Sequence, residues 1–440
     1  MKMKKIIYQV LPRLWGSGKM SDWQGPVFEY LKSLSVDYIW YTGVPRHATG
    51  KSFVKGNPGS PYAISDWYDV NPYLACEQER RIEEFRSLVD RTHTAGLGVI
   101  IDFIPNHVSC DYEGDIPHFG WCDADWTDTL KNDYSDPGTV PACIEILRFW
   151  AGLGVDGFRC DMVELVPAEA MKSIIEGVRS LYPGIMFVAE VYGQDNYRKY
   201  VREVGFDLLY DKSGSYDALR AIMAGHCDAA ALTHGWQQLG DLQPSMLNFL
   251  ENHDEQRLAS EWFASSARKG FAALAFASLF NTASFMIYFG QEVGEDASEG
   301  HEGRTSIFEW CEPDAIGALC RYVATGQGLS RERRSLLSRY RRILSLAARP
   351  VFREGANWDL CYCQDRDFDR ERHFSFLRYD DKEAWLVFCN FSDDVVSLDV
   401  IVPAEVLLNC PVSVRSAARV DGSVRAGILV APWDYCIVKL

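Results

Sequence analysis

Four short segments of this chain each close an apolar run with an acid, an arginine or an imidazole. They are Asp102-Phe-Ile-Pro-Asn106-His107, Gly157-Phe-Arg159-Cys-Asp161, Val188-Ala-Glu190 and Asn252-His253-Asp254. One such ending is ordinary, because strands commonly run out into polar loops. Four of them supply several carboxyl and imidazole groups, which calls for a shared purpose. In the second segment positions 157, 159 and 161 share one face of a strand, and Phe158 and Cys160 take the other. Gly157 leaves space there, and Arg159 and Asp161 project together. A guanidinium beside a carboxylate lowers its pKa and keeps it ionised, which suits a nucleophile. Glu190 ends an apolar run with no cationic neighbour in sequence, so desolvation should raise its pKa, as a general acid requires. Two carboxyls pushed apart in this way are the means of cleaving a glycosidic bond. A separation of about 5–5.5 Å between them would retain anomeric configuration through a covalent intermediate.

The elements that must carry these residues alternate for about three quarters of the chain. Ile6-Ile-Tyr-Gln-Val10 reads as a strand, Phe28 to Leu34 as a helix, and Asp37 to Tyr41 as a second strand. Ile82 to Ala95 is an amphipathic helix stopped by Gly96, before a third strand over Gly98 to Ile104. Further strands start near Val155, Ile185, Phe206, Met246 and Ser284. Eight strands with helices between them predict a parallel sheet closed into a (β/α)8 TIM barrel, an α/β fold whose chemistry sits at the strands' C-terminal ends. Residues 107–141 form a short excursion after strand three, rich in Asp, Gly, Pro and Trp, of the kind that carries function. After the helix Arg331 to Ala348, strands at Leu360 to Cys363, Phe374 to Tyr379, Trp385 to Cys389, Val396 to Val402 and Tyr435 to Leu440 predict an antiparallel β-sandwich. The expected division is a catalytic barrel over 1–350 and an all-β domain over 351–440.

Composition bounds the partners. The 440 residues carry 45 basic and 61 acidic side chains, a net charge of −16, which argues against nucleic acid because phosphate binding needs clustered Lys and Arg. The longest apolar stretch, Phe271 to Tyr288, is interrupted by Ser278, Asn281, Thr282 and Ser284, so no membrane span is expected. The thirteen cysteines are scattered and odd in number, as expected of reduced thiols in a cytoplasmic protein. The Lys-rich start runs into Pro12 and Arg13 with no small-residue cleavage site and reads as a first strand. Gly16-Ser-Gly-Lys19 lacks the spacing of a phosphate loop. His93, His226, His234 and His301 read as surface or turn residues. Trp67, Trp121 and Trp126 could pack in a core or stack on a sugar. Cys361 and Cys363 read as alternate positions on one strand, without a metal.

The four segments, in this order, resemble the four signature regions of the α-amylase family, glycoside hydrolase family 13. Pro61-Tyr62-Ala-Ile-Ser-Asp66-Trp-Tyr68 is similar to the family's segment after strand two, and Gly290-Gln-Glu292 to its hallmark after strand eight. The resemblance implies that Asp161 is the nucleophile, Glu190 the general acid/base, and Asp254 the carboxylate that stabilises the transition state. It implies that Arg159 orients Asp161, that His107 and His253 hydrogen-bond the sugar, that Tyr62 stacks beneath it, and that Asp102 braces the site. The activity implied is retaining hydrolysis of α-glucosidic, mainly α-1,4, bonds in maltodextrin-type oligosaccharides. An α-1,6-glucosidase and a 4-α-glucanotransferase are the enzymatic alternatives, and an inactive carbohydrate-binding or partner protein is the non-enzymatic one. No organic cofactor is implied. No metal is predicted: the family's calcium would involve Asn106, but no partner carboxylate is identified among Asp111, Asp115, Asp123 and Asp125. Val163-Glu164-Leu165 stands where many starch-degrading members carry a Lys-His pair.

Overall fold

The computed structural model describes residues 3–121, 126–411, 414 and 421–440. Eight parallel strands close the barrel: β1 (Ile6–Val10), β2 (Tyr38–Tyr41), β3 (Gly98–Phe103), β4 (Gly157–Cys160), β5 (Met186–Ala189), β6 (Leu208–Tyr210), β7 (Met246–Phe249) and β8 (Ser284–Tyr288). Each pairs only with its neighbours in sequence, and β8 pairs with β1 to complete the ring. The chain thus meets the geometric demand of an eight-stranded barrel, whose interior is filled by side chains.

The two-residue period of each strand sorts the core into layers. Ile7, Trp40, Ile100, Val188, Leu247, Phe249 and Met286 pack together inside the barrel. Ile6, Tyr8, Ile39, Ile101, Phe158, Cys160 and Phe187 belong to the larger cluster between barrel and helices. Phe158 and Cys160 therefore face the helices as their spacing predicts. The helix α1 (Arg81–Thr94) shows why the covering layer forms: Phe85, Leu88, Val89 and Thr92 follow the helical period and are its buried residues. Gly96, at φ +81°, turns the chain into β3 where a side chain would be strained.

Beyond the barrel lies a four-stranded antiparallel sheet in the order β9 (Ala356–Asp359), β10 (His373–Tyr379), β11 (Ala384–Asn390) and β14 (Tyr435–Lys439). A hairpin of β12 (Val396–Val402) and β13 (Val424–Val430) covers its outer face. The alternation again assigns the faces. Phe374, Phe376, Val387 and Cys389 join the barrel's core, and Leu377, Leu386 and Phe388 join Val400, Val402, Ile428 and Val430 in a second core. One sheet thus serves two cores, giving the β-sandwich its attachment to the barrel.

One expectation fails here and one strand goes unpredicted. Cys361–Cys363 is a 3-10 turn and not a strand, because the Asp359 carboxylate accepts the Cys361 backbone N–H at 2.8 Å and ends β9 just before it. The pairing strand is Ala356–Asp359 instead. β13 was not legible, since Gly427 in its middle dilutes the alternation of Val424, Ile428 and Val430.

Candidate active site

All four acid-bearing segments emerge on one end of the barrel. Asp102 belongs to β3, Arg159 to β4 and Asp161 follows it; Glu190 follows β5, and His253 and Asp254 lie just beyond β7. Tyr62, His107, Asp161, Glu190, His253 and Asp254 line one cavity of about 290 Å³. Asp102 and Arg159 lie beneath it, each at most 1% exposed.

Arg159 organises the floor. Its guanidinium sits over the rings of Trp40, Tyr62 and Tyr210 at 5.4, 5.5 and 5.5 Å, a cage of aromatic faces that suits a desolvated cation. Nη1 donates to Asp161 and lies 3.9 Å from Asp102 Oδ1. Nη2 stands 2.9 Å from Glu190 Oε2, an ion-pair contact without the alignment of a hydrogen bond. Glu190 therefore does have a cationic neighbour, which sequence adjacency could not show because Arg159 reaches it from the next strand. Two further donors hold Glu190: the Met162 backbone N–H at 2.9 Å to Oε2 and the Tyr192 hydroxyl at 2.6 Å to Oε1. Met162 adopts φ +44°, ψ +42°, a left-handed conformation that is strained for a Met and aims its N–H at the acid.

Burial governs the protonation of this cluster. It raises Glu190, with the Arg159 charge opposing and the Asp161 charge adding to the rise. It also raises Asp161 despite the guanidinium beside it, so the expected depression of that pKa is corrected: desolvation outweighs the ion pair. Asp102 is pushed up to about 6 by burial, against Arg159 and hydrogen bonds from Trp40 Nε1 (3.0 Å) and Tyr62 (3.4 Å). Asp254 is raised by burial and by the Glu190 charge. Its side chain keeps 38% of its surface open to the cavity, so solvent screens part of that rise. Burial and Arg159 hold His253 neutral, well below its ordinary range. His253 Nε2 lies 2.5 Å from the Tyr62 hydroxyl and 3.1 Å from Asp254, and the Tyr62 and His253 rings stack at 5.1 Å. Four carboxyls against one guanidinium cannot all ionise in such a space, so the cluster retains a proton.

Other expectations sort cleanly. Trp126 packs on His107 at 5.2 Å and lines the cavity, Trp67 is core, and Trp121 is exposed. His93, His226, His234 and His301 are exposed. Glu292 is buried away from the cavity, accepting from Tyr8 (2.8 Å) and Tyr30 (2.5 Å). For calcium, the Asn106 amide lies 3.3 Å from His107 Nδ1, and the Asp111 carboxylate accepts from Ser109 at 2.7 Å. Asp115 is exposed, and no group of three His, Cys, Asp or Glu residues is placed to hold a metal among the described residues. Cys122, Asp123 and Asp125 lie outside those residues.

Sequence reasoning missed Tyr192, Trp40, Tyr210 and Glu164. Tyr192 could have been found two residues past Glu190, on the same face of an extended segment. Glu164 accepts from the Tyr192 and Gly193 backbones at 2.7 and 3.3 Å and from Asn196 Nδ2 at 2.7 Å, pinning the loop that presents Tyr192.

A barrel with paired carboxyls at its strand ends defines a class of sugar-cleaving enzymes, and comparison places the chain within it. The model of the alpha-amylase catalytic domain matches residues 16–118 and 125–359. The chain belongs to the alpha-amylase family and is an enzyme of the glycoside-hydrolase class. It is 20% identical to Alpha-amylase 3 of Dictyoglomus thermophilum, over 99% of this chain and 93% of that one. It is 24% identical to a cyclomaltodextrin glucanotransferase of Geobacillus stearothermophilus, over 54% of this chain and 39% of that protein. Among solved structures, AmyP in complex with maltose superposes with a TM-score of 0.70 at 19% identity, covering 99% and 96% of the two chains.

Proposed function

We propose that the protein is a retaining hydrolase of α-glucosidic, mainly α-1,4, bonds in maltodextrin-type oligosaccharides. The observation that carries this reading is the single guanidinium of Arg159 contacting both Asp161 and Glu190. One side chain spanning two carboxyls keeps them close, which fits the short spacing of retaining enzymes better than the wider gap that admits a water.

In this reading Glu190, held protonated by burial and by the Asp161 charge, gives its proton to the glycosidic oxygen. Asp161, ionised against Arg159, attacks the anomeric carbon; the carbon–oxygen bond breaks and the leaving sugar departs as an alcohol. Esterification removes the Asp161 charge, and with it one cause of the raised Glu190 pKa. Glu190 can then take a proton from water, which attacks the anomeric carbon, frees Asp161 and restores the proton to Glu190. Asp254, at the open side of the cavity, would accept the ring hydroxyls as positive charge develops, neutral His253 would serve as an uncharged partner, and His107 would hydrogen-bond the sugar. Tyr62 would stack beneath the sugar and Asp102 brace Arg159 from below. No step of this reading depends on calcium. The scattered spacing of the thirteen cysteines supports a reducing, cytoplasmic setting.

Proton NMR of maltoheptaose digestion tests the reading. The α-anomer should form first and then mutarotate. Initial β-anomer would overturn retention, and cleavage of isomaltotriose alone would overturn the α-1,4 assignment.

A further inference from the structure

The rim of the barrel is asymmetric. Over β8, β1, β2 and β3, which are adjacent around the ring, the connecting loops are tied to one another. Arg13, just after β1, is buried and donates to the backbone carbonyls of Glu309 (2.6 Å) and Ser306 (3.0 Å) in the loop after β8. Gly56, in the segment after β2, presses on that same loop. At φ +68° a Cβ there would stand 1.7 Å from the Phe308 carbonyl oxygen, so only glycine allows the approach. The next residue back, Lys55, pairs with Asp128 of the excursion after β3 at 3.3 Å, with the carboxylate 4% and the lysine 35% exposed. Lys55, Asp128, Ile307 and Phe308 all line the cavity. Across the ring Glu164 ties the loop after β4 to the loop after β5, accepting from the Tyr192 backbone N–H at 2.7 Å, but leaves exposed side chains at the surface there. Tyr192, after β5 and 39% exposed, lines the cavity and bonds Glu190, and Leu165, after β4, is 42% exposed.

We infer that the tied loops wall off the non-reducing side of the cavity, so that the enzyme takes a terminal glucosyl unit from the non-reducing end of a chain. This rests on the roles proposed for Asp161, Glu190 and Asp254. The scissile oxygen must lie beside Glu190, so the leaving chain runs out over β4 and β5, where Tyr192 offers it apolar surface. The far edge of the bound ring, which carries the 4-hydroxyl, then points at the opposite rim, where Lys55 and Asp128 stand. The cavity of about 290 Å³ lies just below the roughly 300–1,000 Å³ range of ligand pockets, a size that suits a single bound ring. The Lys55–Asp128 pair supplies both polar groups for a terminal hydroxyl and a barrier to a further sugar.

Maltoheptaose with a free non-reducing end, compared with the same chain blocked there by an ethylidene acetal, tests the wall. The wild-type enzyme should release glucose first from the free chain and cleave the blocked one at least about tenfold more slowly, the scale on which a pocket rejects an oversized group. In folded Lys55→Ala the blocked-to-free ratio of kcat/KM should rise by a similar factor. Equal rates on the two chains, early maltose and longer products, or an unchanged ratio in Lys55→Ala would overturn the wall and leave the hydrolase reading intact. If neither chain is cleaved and wild type matches Asp161→Asn, the hydrolase reading itself fails and the wall's role falls with it.

Discussion

Two buried arginines in this barrel carry opposite lessons. Arg257 is matched one to one: Nη1 bonds Glu251 at 3.0 Å and the Phe289 carbonyl at 2.9 Å, and Nε bonds Thr305 at 2.8 Å. Glu251 in turn accepts the Leu258 backbone N–H at 2.8 Å, and burial pushes it up to about 7 against the Arg257 charge. Arg159 instead faces Asp102, Asp161 and Glu190, with Asp254 beyond, and its cluster opens on a cavity. Charge matching closes a site and fixes backbone. Excess acid around one cation leaves a proton to be moved, which is a functional arrangement that costs stability.

The largest test of that contrast is Asp161→Asn. It should lower kcat by about 10⁴-fold or more, as expected for removal of a nucleophile, with Tm unchanged or raised because a carboxylate leaves a crowded cluster. A Tm loss like that of a structural site would erase the distinction. Glu190→Gln should cost about 10²–10⁴-fold and abolish the alkaline limb of the kcat/KM profile, because that limb reports loss of the acid's proton. A retained limb would assign it to another group. Arg257→Met should destabilise by about 3–5 kcal/mol, measured by denaturant unfolding, since it strands a buried carboxyl; the folded fraction should keep its kcat. Unfolding measurements of Glu251→Gln against wild type carry the pH test. The Glu251 pKa is higher folded than unfolded, so its contribution is fullest below the ordinary value of 4.5 and is lost as pH rises through about 7. Wild type should therefore lose stability relative to the variant across that window. The smallest effect belongs to Glu164→Gln, about tenfold or less in kcat, with the alkaline limb moved as Tyr192 loosens from Glu190. An unmoved limb would make Glu164 merely structural.

Much of this was legible because barrels translate sequence order into position. An apolar run ending in Asp, Arg, Glu or His names a strand end, and closure of β8 on β1 brings all such ends to one rim. The faces of β4 followed from the two-residue period alone. What failed were features decided by a single side chain or by packing across the chain. The Asp359 side chain ends β9 early, and Gly427 hides β13.

The sequence by itself therefore determined the barrel, the β-sandwich and the membership of the acid cluster, since these depend on periodicity and on residue type. Only the tertiary structure decided the electrostatics and the shape of the cavity. Arg159 serves Glu190 as well as Asp161 because β4 and β5 are neighbours, and burial raises Asp161 where sequence adjacency argued the reverse. The Lys55–Asp128 pair and the contact of Gly56 with Phe308 join residues 73 and 252 positions apart, by subtraction of their numbers. Desolvation and long-range contact are properties of the folded chain, and no local pattern encodes them.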